Sequence, residues 1–359
     1  MTIYKGSLVY EDYYNLVKDN LIKHEGFENS QIQPSSVDLT LSEECYEISS
    51  SFLSPSKRVE ENISEYKIRK INLKNKYIFE KNKTYLVKLN ENLSLPKYIF
   101  GLCNPKSSTG RLDIFCRTIL NYCDEYEKIP SNYNGEMYIE ITSRSFPIEF
   151  QKGDSLNQMR LVMKDHNRVS DEEIKTIHNK DFITLDENNS KIMPKLKNGL
   201  TLSVNLASSN KVNAYIAKDN TPTLIFGKIK QHSIKDFWNP INTKNNKIII
   251  KKNNFYILKS KEKIQIPKNM AGEMIPYDTS LGDFRAHYAG FFDPGFGKDF
   301  GSCAVLEVKT SEIDFVLEHE QSIARIVFEK LNKNTDNLYG SNLNSNYQHQ
   351  GLALSKHFV

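Results

Sequence analysis

Along most of this chain apolar and polar residues alternate with a period of two, in short runs closed by Asn, Gly, Pro or Lys. Thr84–Leu89, Met137–Ile141, Lys247–Ile250 and Ala304–Val308 are the clearest runs, rich in β-branched and aromatic side chains. That texture predicts strands rather than helices. Two segments break the pattern. Tyr13, Tyr14, Leu16, Val17 and Leu21 recur at helical spacing, which predicts a helix from roughly Tyr10 to His24. Ser170-Asp171-Glu172-Glu173 reads as a capping box before Ile174 and Ile177, so a second helix should start there. The expected class is all-β with minor helices.

The strand pattern is also written twice. Residues 75–105 align without a gap to 246–276, an offset of 171 (246 − 75). Twelve of the 31 positions are identical, namely Asn75/Asn246, Lys76/Lys247, Ile78/Ile249, Lys81/Lys252, Asn82/Asn253, Tyr85/Tyr256, Lys88/Lys259, Glu91/Glu262, Pro96/Pro267, Lys97/Lys268, Gly101/Gly272 and Pro105/Pro276. Upstream, Ser36-Val37-Asp38-Leu39 pairs with Ser203-Val204-Asn205-Leu206; downstream, Tyr138-Ile139-Glu140-Ile141 pairs with Val305-Leu306-Glu307-Val308. Self-similarity of this extent means two copies of one β domain. The expected boundaries are a first domain over 1–166, a linker with a short helix over 167–184, and a second domain over 185–359.

At 359 residues each copy is long enough to bury a core of its own. With 48 basic and 44 acidic side chains the net charge is +4, which gives no general attraction to nucleic acid. Runs such as Lys259-Ser260-Lys261 read as solvated faces of a Lys-rich chain. Five cysteines without a CxxC pair favour neither a disulfide framework nor a Cys-rich zinc site. No apolar stretch approaches ~18 residues and the start is unlike a signal peptide, so a cytoplasmic protein is expected.

The copies differ where chemistry is possible. Copy one carries Lys106-Ser107-Ser108-Thr109-Gly110-Arg111, whose hydroxyls, ammonium and guanidinium on a turn suit a phosphate chain. It is not a GxxxxGK[ST] loop. The ordinary alternative is a solvated surface turn. Copy two has Tyr277 in place of Lys106, Asp278 in place of Ser107 and Gly282 in place of Arg111, a poor setting for an anion. Instead it carries His287-Tyr288-Ala289-Gly290-Phe291-Phe292-Asp293-Pro294-Gly295-Phe296. There Asp293 could accept from a sugar hydroxyl, and Phe296 or Phe291 could wall a sugar or base; alternatively this is a tight turn with its aromatics in the core. Copy one, over 127–135, keeps neither motif.

These segments, with Gln33–Leu39 and the tail Asn346-Tyr347-Gln348-His349-Gln350-Gly351, resemble the dCTP deaminase family of the dUTPase-like superfamily in its long tandem form. The resemblance implies two tandem dUTPase-like domains of the β-clip, or distorted β-barrel, type, with sites at domain junctions. It implies that Ser107, Ser108 and Arg111 hold the triphosphate with Lys106 beside them. It assigns substrate contacts to His287, Ala289, Asp293 and Phe296, places Glu307 as the catalytic glutamate, and gives Tyr339 and Gln350 to a closing tail. Asn346 stands where the family often has a tail lysine. Glu140 matches the catalytic glutamate in copy one, either as a second catalytic residue or as one kept for packing. One competent composite site built on Glu307, and one vestigial site, are expected.

The implied reaction is hydrolysis of dCTP to dUTP and ammonia, supplying dUTP for dTTP synthesis, with one glutamate acting as base and then acid. Zinc deaminases need H-x-E and P-C-x-x-C; neither occurs. Mg²⁺ is expected only as the counter-ion of the triphosphate. The implied partners are dCTP and further copies of the chain, as a homo-oligomer with three-fold or pseudo-three-fold symmetry. Feedback by dTTP is possible in such a family, and neither a nucleic acid polymer nor a membrane is expected to bind. Three rivals stand beside this: a dUTPase or a bifunctional enzyme releasing dUMP and diphosphate, a non-catalytic nucleotide-binding regulator, and a purely structural trimer-former, against which Lys106, Ser107, Ser108 and Arg111 argue.

Overall fold

The computed structural model describes residues 5–208, 211–276, 284–286, 290–341 and 347–359. The chain forms two compact units. Unit 1 comprises 1–166, 219–233 and 355–359, and unit 2 comprises 167–218 and 234–354. The segments 219–233 and 355–359, which the sequence places in the second half, therefore fold with the first. Their backbone groups are satisfied there: Leu224 N donates to Pro147 O at 2.9 Å, and Lys230 N to Lys356 O at 3.0 Å.

Unit 1 is built mainly from two antiparallel sheets, beside a three-stranded sheet of 77–79, 148–150 and 224–225 whose last pair is parallel. Its strands include β1 (Ser36–Leu39), β2 (Leu41–Ile48), β3 (Thr84–Ser94), β4 (Ile99–Pro105), β5 (Ile114–Leu120), β6 (Lys128–Ile129), β7 (Asn134–Ser143) and β8 (Asn157–Met163). One sheet runs β6-β4-β8-β1 and the other β5-β7-β3-β2, each extended at its edges by shorter strands. Unit 2 contains β9 (Leu200–Ser203), β10 (Phe255–Ile264), β11 (Met270–Pro276), β12 (Phe291–Phe292), β13 (Ser302–Thr310) and β14 (Ser322–Lys330). Its order β12-β11-β14-β9 repeats the first sheet of unit 1, and β10 pairs with β13 as β3 pairs with β7. The sequence repeat is thus a repeat of strand order.

Several shared identities have a physical reason. Asn82 and Asn253 take left-handed φ of 61° and 63°, which asparagine tolerates better than most residues. Tyr85 and Tyr256 are buried, and their hydroxyls accept from Glu80 N (3.2 Å) and Lys251 N (3.1 Å), tying the same turn to the same strand. Glu91 and Glu262 are buried carboxylates that cap backbone amides, of Thr40 at 3.0 Å and Ser203 at 2.9 Å. Gly101 lies so close to the neighbouring strand that a Cβ would stand 2.8 Å from Leu161 Cδ2.

Those caps also correct the upstream alignment. Thr40 and Ser203 occupy one role, and Leu39 faces Asn157 as Leu202 faces Ala324. Residues 37–39 therefore match 200–202, not 204–206. A slip of four along a strand keeps every side chain on its own face, so pattern alone could not exclude it.

The first helix, α1, spans Tyr10–Lys18 and is shorter than its apolar spacing predicts. Asn20 turns left-handed at φ 56°, and Ile22–Lys23 leave as a strand. The second helix begins as expected. Ser170 Oγ accepts from Glu173 N at 3.2 Å, and Asp171–Lys180 follows. Ile174 and partly buried Ile177 of that helix pack into the core of unit 2, so it is part of that unit rather than of a free linker.

Candidate active site

In unit 1, strand β4 ends at Pro105 and the chain makes one helical turn, α2 (Ser107–Gly110), before Arg111 and β5. Lys106 N and Thr109 Oγ1 both donate to Leu156 O, at 2.9 and 2.8 Å, fastening the turn to the strand beside it. Asp113, left-handed at φ 55°, closes the loop: Ser145 Oγ donates to its Oδ2 at 2.6 Å, and its carbonyl accepts Arg144 N at 3.1 Å. Ser108 and Arg111 are each 3 % exposed. Lys106 is ion-paired to the buried Asp38 and lies 3.5 Å from Ser155 Oγ. Lys106, Ser107, Ser108 and Arg111 are thus held on one turn.

Glu140 lies on β7, on the sheet face opposite Met137, Ile139 and Ile141. It pairs with Leu86 of β3, and Glu307 of β13 pairs with Ile257 of β10. Since 86 and 257 are repeat equivalents (86 + 171), the two glutamates hold the same register. Their surroundings differ. Glu140 is 2 % exposed and faces Arg117 directly across the β5–β7 ladder, with Arg117 Nη2 2.8 Å from its Oε1. Arg117 also donates to Ser51 Oγ at 2.9 Å and stacks on Tyr126, its Cζ 3.7 Å from the ring centroid. Arg117 was not singled out in the sequence. Its signal lay in the hairpin register that sets it opposite Glu140.

Asp293-Pro294-Gly295-Phe296 forms a tight turn in unit 2. Phe296 N donates to Asp293 O at 3.1 Å, and Gly295 takes φ 87°, as a turn with proline second and glycine third requires. Phe296 and Phe291 are 5 % and 7 % exposed, and Phe296 packs with the core of the unit. The motif is thus a tight turn whose phenylalanines pack inward, with Asp293 (8 % exposed) and Glu307 (7 % exposed) both buried acids. In unit 1 the matching turn is Pro130–Tyr133, closed by Tyr133 N to Pro130 O at 3.3 Å, with Asn132 at φ 63°. Proline stands there in place of Asp293. Counting back along both copies of the sequence, Tyr126 stands in place of Ala289.

The tail is anchored on this turn. Tyr339 N donates to Pro294 O at 2.9 Å, and the Tyr339 and Phe296 rings lie 5.6 Å apart. Gln348 does more than the sequence suggested: Gly297 N donates to its Oε1 at 2.9 Å, while its Nε2 donates to Gly295 O at 3.1 Å. Gln350 clasps the start of β13, its carbonyl taking Cys303 N at 3.0 Å and its amide donating to Cys303 O at 3.0 Å. His287, Ala289, Asn346 and the Tyr277–Gly282 stretch lie outside the described residues.

Nearby in unit 1, Glu127 accepts from Thr118 N at 3.1 Å, with Asn157 Nδ2 3.4 Å away. Burial pushes its carboxyl up to about 7, against these hydrogen bonds. The folded state then holds a proton that the unfolded state loses near 4.5, so this stabilisation is present below 4.5 and lost as pH rises through about 7. Glu127→Gln is expected to raise the urea midpoint at pH 8 and to flatten its fall between pH 5 and 8. An unchanged pH profile would rule out Glu127 as the titrating group.

All five cysteines are free and buried. Among the described residues no group of three His, Cys, Asp or Glu is placed to hold a metal, and no helix is long and apolar enough to cross a membrane.

Two family models cover the chain. Residues 4–165 match the 2'-deoxycytidine 5'-triphosphate deaminase (DCD) N-terminal domain, and residues 170–358 match its C-terminal domain. The chain belongs to the dCTP deaminase family. Among solved structures, it is similar to the 2'-deoxycytidine 5'-triphosphate deaminase from Agrobacterium tumefaciens. They share 36 % identity over 95 % of this chain and 100 % of that one, with a TM-score of 0.89. No curated protein matches. The resemblance read from the sequence is therefore correct, and the two-sheet units are the dUTPase-like β fold. Membership of the dCTP deaminase family makes the chain an enzyme that deaminates dCTP.

Proposed function

We propose that the chain hydrolyses dCTP to dUTP and ammonia, with Glu307 moving the proton and Lys106, Ser107, Ser108 and Arg111 holding the triphosphate. The observation that carries this assignment is the contrast between two glutamates at one register. Glu307 follows a turn that carries Asp293, whereas Glu140 follows a turn with Pro130 in that place. In the proposed reaction water attacks C4 of the cytosine and Glu307 takes its proton. The same carboxyl gives that proton to N3, then carries the proton of the new C4 hydroxyl to the amine, which leaves as ammonia as the C4 carbonyl forms. Burial of Glu307 keeps bulk water from competing for that proton.

Asp293 is assigned to a sugar hydroxyl, with Phe296, His287 and Ala289 beside the nucleoside. Tyr339 and Gln350 belong to the tail that closes the site, and Gln348 joins them as its anchor. Mg²⁺ is assigned to the phosphate oxygens of the nucleotide and water, and no step runs through it. Assembly as a homo-oligomer of three-fold or pseudo-three-fold symmetry and feedback by dTTP extend the family resemblance. A cytoplasmic site of action fits five unpaired cysteines.

Purified protein incubated with dCTP and Mg²⁺ should yield dUTP and ammonia in equal amounts, read by product chromatography and an ammonia assay. Release of dUMP and diphosphate would replace this with the bifunctional reading. Binding without product would leave a regulator. Arg111→Ala should raise KM for dCTP by about 10- to 100-fold, the scale of losing a charge-assisted fork onto phosphate. An unchanged KM would remove Arg111 from the triphosphate site.

A further inference from the structure

The repeat reaches one residue beyond the glutamates. Cys116 faces Ile141 as Ala286 faces Val308, so the next positions along the two copies of the sequence are Arg117 and His287. An arginine in copy one thus stands where copy two has the histidine assigned to the nucleoside.

The Arg117 guanidinium is held as a flat ligand would be. Its Cζ lies 3.7 Å from the centroid of the Tyr126 ring and 4.7 Å from that of Phe115. Nη2 donates to Glu140 Oε1 at 2.8 Å and to Ser51 Oγ at 2.9 Å. The Glu140 side chain is 2 % exposed and that of Arg117 27 %, so the carboxylate is sealed and its cation is not. Among the described residues nothing donates to the buried Glu140 Oε2. Neutralising the carboxylate needs only a charge, and a lysine would supply it. Aromatic rings against a planar cation, with one acceptor oxygen to spare, make a slot for a flat group carrying adjacent N–H donors. The amidine edge of a protonated cytosine is such a group, and it forks onto both oxygens where Arg117 reaches one.

We propose that Arg117 is a built-in occupant of the base slot of unit 1. Its guanidinium stands where a pyrimidine would meet Glu140, and it keeps this copy closed to nucleobases. The proposal deepens the reading of Glu140 as the vestigial counterpart of Glu307, and it rests on Glu307 meeting the base.

The test opens the slot in the full chain, in a Glu307→Gln background so that Glu140 is the one glutamate left at that register. The probe is protonated 2-aminopyridine, a minimal cytosine edge, titrated calorimetrically. Arg117→Ala should bind it with a Kd on the order of 1 mM, and the parent with Arg117 intact about tenfold more weakly or not at all. Butylammonium, equal in charge but not flat, should bind Arg117→Ala about tenfold more weakly than the probe does. Adding Glu140→Gln to Arg117→Ala should abolish binding of both. Arg117→His opens the slot with less loss of packing and stands in where Arg117→Ala does not fold. If the opened variants ignore the probe, or take butylammonium equally well, Arg117 is an ordinary counter-ion. The proposal then fails while the assignment of Glu307 stands. If Glu307→Gln turns over dCTP normally, that assignment falls and takes the proposal with it.

Discussion

Glu307→Gln is expected to abolish turnover, lowering kcat by about a thousandfold while dCTP still binds. Glutamine keeps the shape of the side chain and loses the ability to take a proton from water and give it back. Glu140→Gln, at the same register of the other unit, is expected to leave kcat within about twofold. The difference lies in the turns that precede them. Arg117 faces Glu140 across the ladder and donates to it, and Tyr126 covers the other side of the guanidinium. The turn that should supply an aspartate beside Glu140 carries Pro130, whereas Asp293 stands in the turn before Glu307. Single-turnover kinetics with dCTP separates binding from chemistry. A dead Glu140→Gln enzyme beside an active Glu307→Gln enzyme would reverse the assignment.

Much of this arrangement was legible before any coordinates, and what was legible shares a cause. Asn82/Asn253, Tyr85/Tyr256 and Glu91/Glu262 sit where backbone geometry or a buried amide leaves few alternatives, so both copies retained them. The Asp293–Phe296 turn could be read for the same reason, because proline and glycine fix its dihedrals. The failures have causes too. The apolar spacing overextends α1 because Leu21 continues it, whereas the left-handed Asn20 ends the helix. The upstream copies align four residues out on sequence because a strand pattern has period two. The transfer of 219–233 and 355–359 to unit 1 depends on contacts distant in sequence, to which local pattern is blind. Arg117 is one basic residue in a strand and becomes meaningful only once β5 is paired with β7.

Gly297→Ala should be the most damaging small substitution in unit 2, costing about 4 kcal/mol or more and removing activity with it. Gly297 has φ 71°, which an alanine can adopt only with strain of about 1 kcal/mol. Space decides the rest. A Cβ there would lie 2.0 Å from Ile264 O and 3.0 Å from Ser302 N, both of them backbone atoms. Ile264 and Ser302 are themselves a rung of the β10–β13 ladder, so relief means parting the strand that carries Glu307 from its neighbour. Gly297 N also donates to Gln348 Oε1, so the same shift releases the tail from the Asp293 turn. Gly153→Ala is the control. Its φ of 90° is also left-handed, yet no atom lies within 4 Å of the added carbon, so only the conformational cost applies. With two units, one melting curve does not isolate the effect. Limited proteolysis does: Gly297→Ala should open cleavage sites within 234–354 under conditions where the wild type and Gly153→Ala stay intact. Equal resistance of all three proteins would mean that the end of β10 yields to the methyl group, and that the close approach seen at Gly297 is not a constraint on the site.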